Sequence, residues 1–328
     1  MGVHPCDLTT GVRGCPGATP PLSPPARLPP VIALLGPTAS GKTDLAVEIA
    51  EALGLAVLSV DSRQVYRHMD VGTAKPTADQ RRRVRHELLD LRDPDQPLNL
   101  QEFAALAERA IDVELRGRGA ALLVGGSGLY LRAVVGGLRP PPVPPQPSLR
   151  HQFERLGQPH CHALLRQADP ASAARIAPAD AVRTQRALEV LYASGRLLSQ
   201  QRGHRPRPWR VLELGLAPEN LGERIARRTA AMYGGGLVEE TRRLIARFGA
   251  DCPLLGTIGY DEARRLLKGE LGEAEAMTLT EQRTRRYAKR QRTWFRHQHR
   301  PIWLEGRDPL RHALELTQPL LADRQGLG

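Results

Sequence analysis

The sequence predicts an α/β fold: a parallel-sheet core carrying an inserted all-helical domain and a helical C-terminal region. Three observations predict it. Short apolar runs recur with helical periodicity between them, the first run leads through a glycine-bounded loop into a helix, and two proline-rich stretches interrupt the strand pattern. Strands separated by single helices join by right-handed crossovers into a parallel sheet covered on both faces. Functional residues then collect at the carboxyl ends of the strands.

Residues 1–30 are proline-rich and lack the apolar core of a signal peptide, so they read as a disordered extension, or as a start codon assigned too early. The first strand covers 31–35 and meets Gly36-Pro37-Thr38-Ala39-Ser40-Gly41-Lys42-Thr43, followed by a helix. Strand, loop and helix in this order turn the pattern G-x-x-x-x-G-K-[ST] into a phosphate cradle and make the core P-loop NTPase-like. Gly36 and Gly41 let successive amides wrap an anion, and the helix start adds its positive dipole end. Lys42 supplies a mobile charge and the Thr43 hydroxyl is placed to hold Mg2+. The expected ligand is a di- or triphosphate.

A second strand, 55–60, ends at Asp61, and a third, 120–124, ends in Gly125-Gly126-Ser127-Gly128 with a helix over 103–115 between them. The first part of the core is 31–139. The prolines of 140–147 form a stiff linker. Helical sequence follows at 149–156, 161–167, 170–176 and 181–194, and a second proline boundary closes an inserted domain of 140–206. Strand-like 211–216 resumes the core, which continues over 207–310 through helices at 221–232, 237–248, 260–268 and 273–297. A short apolar piece lies at 301–304, and 311–328 form a final helix and tail.

Lysine and arginine number 47 against 35 acids, a formal net charge of +12. That favours a polyanionic partner, although an arginine-rich surface overall gives the same sum. Distribution favours the polyanion. Along the helix at 273–297, Arg283, Arg286 and Arg290 form one stripe and Arg285, Lys289, Arg292 and Arg296 another, with Tyr287 and Trp294 between. No apolar run approaches membrane-spanning length. Cys6, Cys15, Cys161 and Cys252 show no metal or disulfide spacing, which suits the cytoplasm. His86, His160 and His162 show no ligand spacing either.

A P-loop alone most often means nucleotide hydrolysis or a small-molecule kinase, and those enzymes use a further acidic group. Here the third strand ends in Gly125-Gly126 where such an acid often sits. Asp61 is the one carboxylate well placed at a strand end. An Asp-Ser pair also starts turns and caps, and the neighbouring P-loop favours a catalytic base.

In order along the chain, the P-loop, Ser59-Val60-Asp61-Ser62 with Gln64 and Tyr66, residues 69–76, residues 86–94, Leu122-Leu123-Val124-Gly125-Gly126, Leu129-Tyr130, Arg186-Ala187-Leu188-Glu189-Val190, Arg224-Ile225 with Arg228, Gly259-Tyr260 and Ala288-Lys289-Arg290-Gln291 resemble the tRNA dimethylallyltransferases, also called tRNA isopentenyltransferases. The resemblance covers roughly residues 31–305. It implies transfer of dimethylallyl from dimethylallyl diphosphate to the exocyclic amine of adenosine 37 in the tRNA anticodon stem-loop, without ATP. Mg2+ is the implied cofactor and a cytoplasmic monomer the implied state. Asp61 is then the general base, Arg228 reaches the diphosphate from the side opposite the P-loop, and Ser127, standing where the family usually has threonine, is the third catalytic residue, keeping the hydroxyl that hydrogen-bonds near the reacting amine. Spacing alone fits a solvated arginine at 228 equally well, and a polar end to a glycine turn at 127. The resemblance implies an RNA path along Asp61, Ser62, Arg63, Gln64, Ser127, Arg150, Val182, Arg183, Thr184, Gln185, Arg186, Gly256, Thr257, Ile258, Gly259, Tyr260 and Asp261. Gly256-Thr257 is less basic than the family segment and 140–147 is longer than usual. Competing expectations are an adenylate isopentenyltransferase, a P-loop kinase or ATPase, and a non-catalytic RNA-binding module.

Overall fold

A computed structural model describes residues 28–201, 203–306 and 308–322. Strand β1 (Pro30–Leu35) is buried along its whole length because both faces of the sheet are covered. Val31, Ala33 and Leu35 enter one apolar core while Ile32 and Leu34 enter the other, the period-two alternation of a strand. Helix α1 (Lys42–Leu53) and β2 (Val57–Val60) complete the first unit. Pro30 lies inside β1, so the expected extension is at least one residue shorter than 1–30; residues 1–27 lie outside the described chain.

Helix α2 (Ala78–Arg83) begins in a reciprocal cap between Thr77 and Gln80, and β3 (His86–Glu87) pairs in parallel with β2. Two residues are too few to show periodicity, so this edge strand was not legible in the sequence. Helix α3 (Leu100–Arg118), capped by Asn99, leads into β4 (Ala121–Gly125), then α4 (Gly128–Val134) and β5 (Leu138–Arg139). Helices α5 (Pro147–Leu156), α6 (Gln158–Ala168), α7 (Pro170–Ala173) and α8 (Ala181–Ser194) follow. They close over a separate apolar cluster that includes Phe153, Cys161, Leu165, Ile176 and Leu188. Strand β6 (Gly203–His204) pairs antiparallel with β5, bringing the two ends of this helical unit together as a narrow neck.

Strand β7 (Arg210–Gly215) then lies beside β1. Helices α9 (Leu221–Gly234), α10 (Leu237–Phe248), α11 (Tyr260–Leu267) and the 26-residue α12 (Glu273–Gln298) follow, then β8 (Ile302–Trp303) and α13 (Pro309–Ala322). The sheet order is β3-β2-β4-β1-β7-β8, parallel throughout. Helices α3, α4 and α9–α12 supply one of its cores, α1 and α13 the other.

Register fixes what the sheet presents. Leu35 of β1 and Val60 of β2 both pair with Gly125 of β4. The glycine loop, Asp61 and Gly126-Ser127 therefore leave the sheet at one level. Two strand spacings separate the loop from Asp61, about 10 Å, enough for a small group between them. Among the described residues no helix is long and apolar enough to cross a membrane.

Candidate active site

The loop after β1 takes a shape its glycines permit. Gly41 has φ 92°, and a Cβ there would lie 2.6 Å from Arg224 Nη2. Arg224 donates from Nε to Ala39 O at 2.9 Å and braces the loop from outside. Lys42 donates from Nζ to Pro37 O at 2.8 Å. Burial, and next the Arg228 guanidinium, lower Lys42 from its ordinary 10.5 to about 7, with Asp61 pulling the other way. Arg228 is likewise lowered by burial, opposed by Asp61. It donates to Thr38 Oγ1 at 2.8 Å and Thr73 O at 3.4 Å. Two cationic side chains thus face one cavity, where a bound anion would offset the cost of burying them.

Asp61 is both turn former and site residue. Its Oδ1 accepts Arg63 N–H at 2.8 Å and Gln64 N–H at 3.3 Å, while Oδ2 takes no hydrogen bond from the described residues. One oxygen is anchored and the other is left for chemistry. A cavity of ≈ 440 Å³ joins Thr38, Lys42 and Thr43 to Asp61–Gln64, with Arg228 and Met232 from α9 and Thr284, Tyr287 and Gln291 from α12 on its far wall. That volume suits a small ligand. Burial, then the Asp61 charge, push the Tyr287 phenol up to about 12, so it stays a neutral donor.

Gly36, Pro37, Ala39, Ser40 and Gly41 shape the loop behind the wall. Ser127 is not on the wall either. Its hydroxyl accepts Ser62 N–H at 3.0 Å and donates to Ser62 Oγ at 3.3 Å, holding the Asp61 turn from behind. Of the residues expected on an RNA path, Asp61, Ser62, Arg63, Gln64, Gly256, Thr257 and Ile258 line the cavity. Gln64 has its side chain committed to Ser59, Thr73 and Ala74. Val182 is 79% exposed and Arg183 is exposed at the start of α8, with Gln185 partly so. Arg150 and Arg186 both turn onto the buried Glu189 carboxylate.

Two residues expected on the RNA path lie in the interior of this structure. Thr184 is fully buried and its hydroxyl accepts from Gln158, so it supports the helical unit from within. Tyr260 is fully buried and its hydroxyl donates to Glu240. Gly259 and Asp261 are also off the wall; Asp261 pairs with Arg264 and Arg283. The aromatics of α12 face inward: Tyr287 lines the cavity and the Trp294 ring covers Gly128. Arg285, Arg286, Lys289, Arg290, Arg292 and Arg296 remain exposed on the outer side.

Sequence reasoning gave three residues no part in the site. Gln291 accepts Thr38 N–H at 2.9 Å and donates to Gly126 O at 2.8 Å, tying two strand-end loops to α12. His86 reaches the cavity wall with Nε2 buried and unpartnered. Glu240 holds the loop at 70–72 from α10. No cluster of three or more His, Cys, Asp or Glu gathers for a metal among the described residues. A cation here fits as a hard ion held by Thr43 and ligand oxygens, the usual manner of Mg2+.

A parallel sheet whose glycine loop and strand-end carboxylate share one cavity defines a P-loop α/β protein, here with a helix beside the cavity that exposes a row of cations. The chain belongs to the IPP transferase family, which matches residues 64–298. It is 64% identical to the tRNA dimethylallyltransferase of Parasynechococcus marenigrum (strain WH8102), over 88% of this chain and 97% of that one. Identity to the tRNA dimethylallyltransferase of Synechococcus sp. (strain CC9311) is 60%, over 89% and 94%. The full-length tRNA isopentenylpyrophosphate transferase of Bacillus halodurans superposes with a TM-score of 0.66 at 34% identity, covering 90% of this chain and 98% of that. A eukaryotic dimethylallyltransferase acting on tRNA gives a TM-score of 0.76 at 23% identity, over 90% and 80%, a likeness of fold alone.

Proposed function

We propose that this chain transfers the dimethylallyl group of dimethylallyl diphosphate to the N6 amine of adenosine 37 in the tRNA anticodon stem-loop, releasing diphosphate. The observation that carries the reading is the shared cavity, with the Lys42 and Arg228 cations facing the half-anchored Asp61 carboxylate. An adenine amine is a weak nucleophile because its lone pair is delocalised into the ring. As the N6–C1 bond forms and the C1–O bond breaks, Asp61 Oδ2 takes the N6 proton and the leaving diphosphate carries the electron pair. Lys42, Arg228, the Thr38 hydroxyl and the amides opening α1 meet that growing charge. Mg2+ held at Thr43 neutralises further diphosphate charge when bound. Ser127 positions the Asp61 turn through Ser62. The purine must leave its stack to enter, and the helical unit of α5–α8 with the outer face of α12 supports the RNA. Monomeric, cytoplasmic action belongs to the same reading.

The test is labelled dimethylallyl diphosphate offered with an anticodon stem-loop, with AMP supplied separately as the rival acceptor. Label should enter the RNA and not AMP. Asp61→Ala should lose transfer by about 10³-fold or more while binding diphosphate normally. Label in AMP alone, or ordinary turnover by the Asp61 variant, refutes the assignment.

A further inference from the structure

Glu240 lies 4% exposed on the inner face of α10, among Leu237, Thr241 and Leu244. Its Oε2 accepts the amides of Asp70 at 3.0 Å and Val71 at 2.9 Å. Its Oε1 accepts Gly72 N–H at 3.1 Å and the Tyr260 hydroxyl at 2.6 Å. Four donors fill one carboxylate, the condition under which a buried charge is tolerated. Three of the four belong to one loop, which Glu240 reaches from another helix. The Tyr260 ring closes the loop from the side, and a Cβ at Gly72 would strike it.

What this loop presents next is Thr73 O. That carbonyl receives Arg228 Nη2 at 3.4 Å and Gln64 Nε2 at 3.2 Å. Arg228 continues to Thr38 of the glycine loop, and the Gln64 backbone amide donates to Asp61 Oδ1. One backbone atom therefore joins the diphosphate side of the cavity to the side of the base, and it lies one residue beyond the clamped amides.

We propose that Glu240 is a positioning residue for the transfer reaction, clamping residues 70–72 so that Thr73 O sets the spacing between Arg228 and the Asp61 turn. The inference rests on the function proposed above. Glu240 touches no reacting atom and acts through the loop. Replacement by glutamine keeps the shape but removes the charge and gives one end an N–H2 group that faces amide donors. The loop then loses at least one amide bond, Thr73 O shifts, and both partners lose their common anchor. Displacement of catalytic groups by about 1 Å costs on the order of 10²-fold in rate.

The test compares wild type, Glu240→Gln and Ile111→Val, a buried core change on α3, well below their melting temperatures. Prenyl transfer to the stem-loop gives kcat and KM, and calorimetry gives affinity for inorganic pyrophosphate with Mg2+. Glu240→Gln should lower kcat by about tenfold or more and weaken pyrophosphate binding several-fold. Ile111→Val should lower melting temperature while leaving both constants in place. Wild-type values for Glu240→Gln beside an active wild type overturn this inference alone, whereas an inactive wild type overturns the function on which it rests. Should Glu240→Gln not fold, Gly72→Ala decides the same question, because its Cβ moves the loop with Glu240 intact. Unchanged kcat and pyrophosphate binding in Gly72→Ala overturn the proposal.

Discussion

Lys42 allows the sharpest test of the site's electrostatics. Its folded-state pKa is about 7 against an ordinary 10.5, chiefly through burial and then through Arg228. At about 1.4 kcal/mol per pH unit, holding the charge in the unliganded site costs about 5 kcal/mol. Above pH 10.5 the lysine is neutral folded or unfolded and costs nothing. As pH falls from 10.5 towards 7 the unfolded chain takes up a proton that the folded chain refuses, so stability is lost across that window and levels off below it. Replacement by methionine removes the penalty. After the lost Nζ–Pro37 bond is set against it, Lys42→Met should stabilise the empty protein at pH 7 by about 2 kcal/mol. The same variant should bind diphosphate far more weakly, because the missing charge is the ligand's counterion.

Binding supplies the second readout. A bound diphosphate restores the charge on Lys42, so each binding event takes up a proton once the free lysine is neutral. Affinity for pyrophosphate should fall by up to about tenfold per pH unit between roughly 7.5 and 9.5. Lys42→Met should show a flat, weaker profile. Calorimetry in buffers of different ionisation enthalpy counts the proton directly, and urea unfolding gives the stability change. A flat wild-type profile, or a less stable methionine variant, would show that Lys42 is fully charged in the empty site and that the reasoning from burial is wrong.

Other outcomes follow from single contacts. Ser127→Ala removes the acceptor of Ser62 N–H and should lower kcat by about tenfold with little change in pyrophosphate affinity, while Ser127→Thr keeps the hydroxyl and should restore the rate; equal kinetics for the alanine variant exclude a positioning role. Glu189 is held well below its ordinary 4.5, at about 2: its burial opposes this, while hydrogen bonds from Arg150, the Gln146 amide and Arg186 drive it. The stability it contributes is full above about pH 4.5 and lost as pH falls through 2. Glu189→Gln should cost about 3 kcal/mol at pH 7, read by urea unfolding, and nothing at pH 2. A constant cost across that range contradicts the ion-pair origin.

Much of this site was legible because its signals are local. Strand, glycine loop, lysine and helix lie within two dozen residues, and Asp61 follows directly on an apolar run. The misread parts depend on which side of a helix faces inward. Thr280, Thr284, Tyr287, Gln291 and Trp294 recur at spacings of three and four, a single face by helical geometry. That face was available in the sequence, but the surrounding arginines drew the aromatics into an expected outer track. Glu240 carried a comparable signal, a charge among the inward positions Leu237, Thr241 and Leu244. A carboxylate there requires donors from elsewhere, and no local pattern says which loop provides them. His86 needed the pairing of β3 with β2 to reach the cavity, and two residues of strand leave no period to read.

The same two-sidedness bears on how α12 serves the reaction. Its inner face contributes Tyr287 and Gln291 to the cavity, while its outer face exposes Arg285, Lys289, Arg292 and Arg296 one residue or so away along the helix. A polyanion laid along the outer face and a diphosphate held within are then referred to one rigid rod, since Gln291 bonds the glycine loop directly through Thr38. Surface cations alone contribute affinity that salt screens. Under the proposed function, placing them on the helix that also braces the glycine loop would tie the position of the RNA to that of the leaving group and bring the purine to Asp61 in a fixed relation.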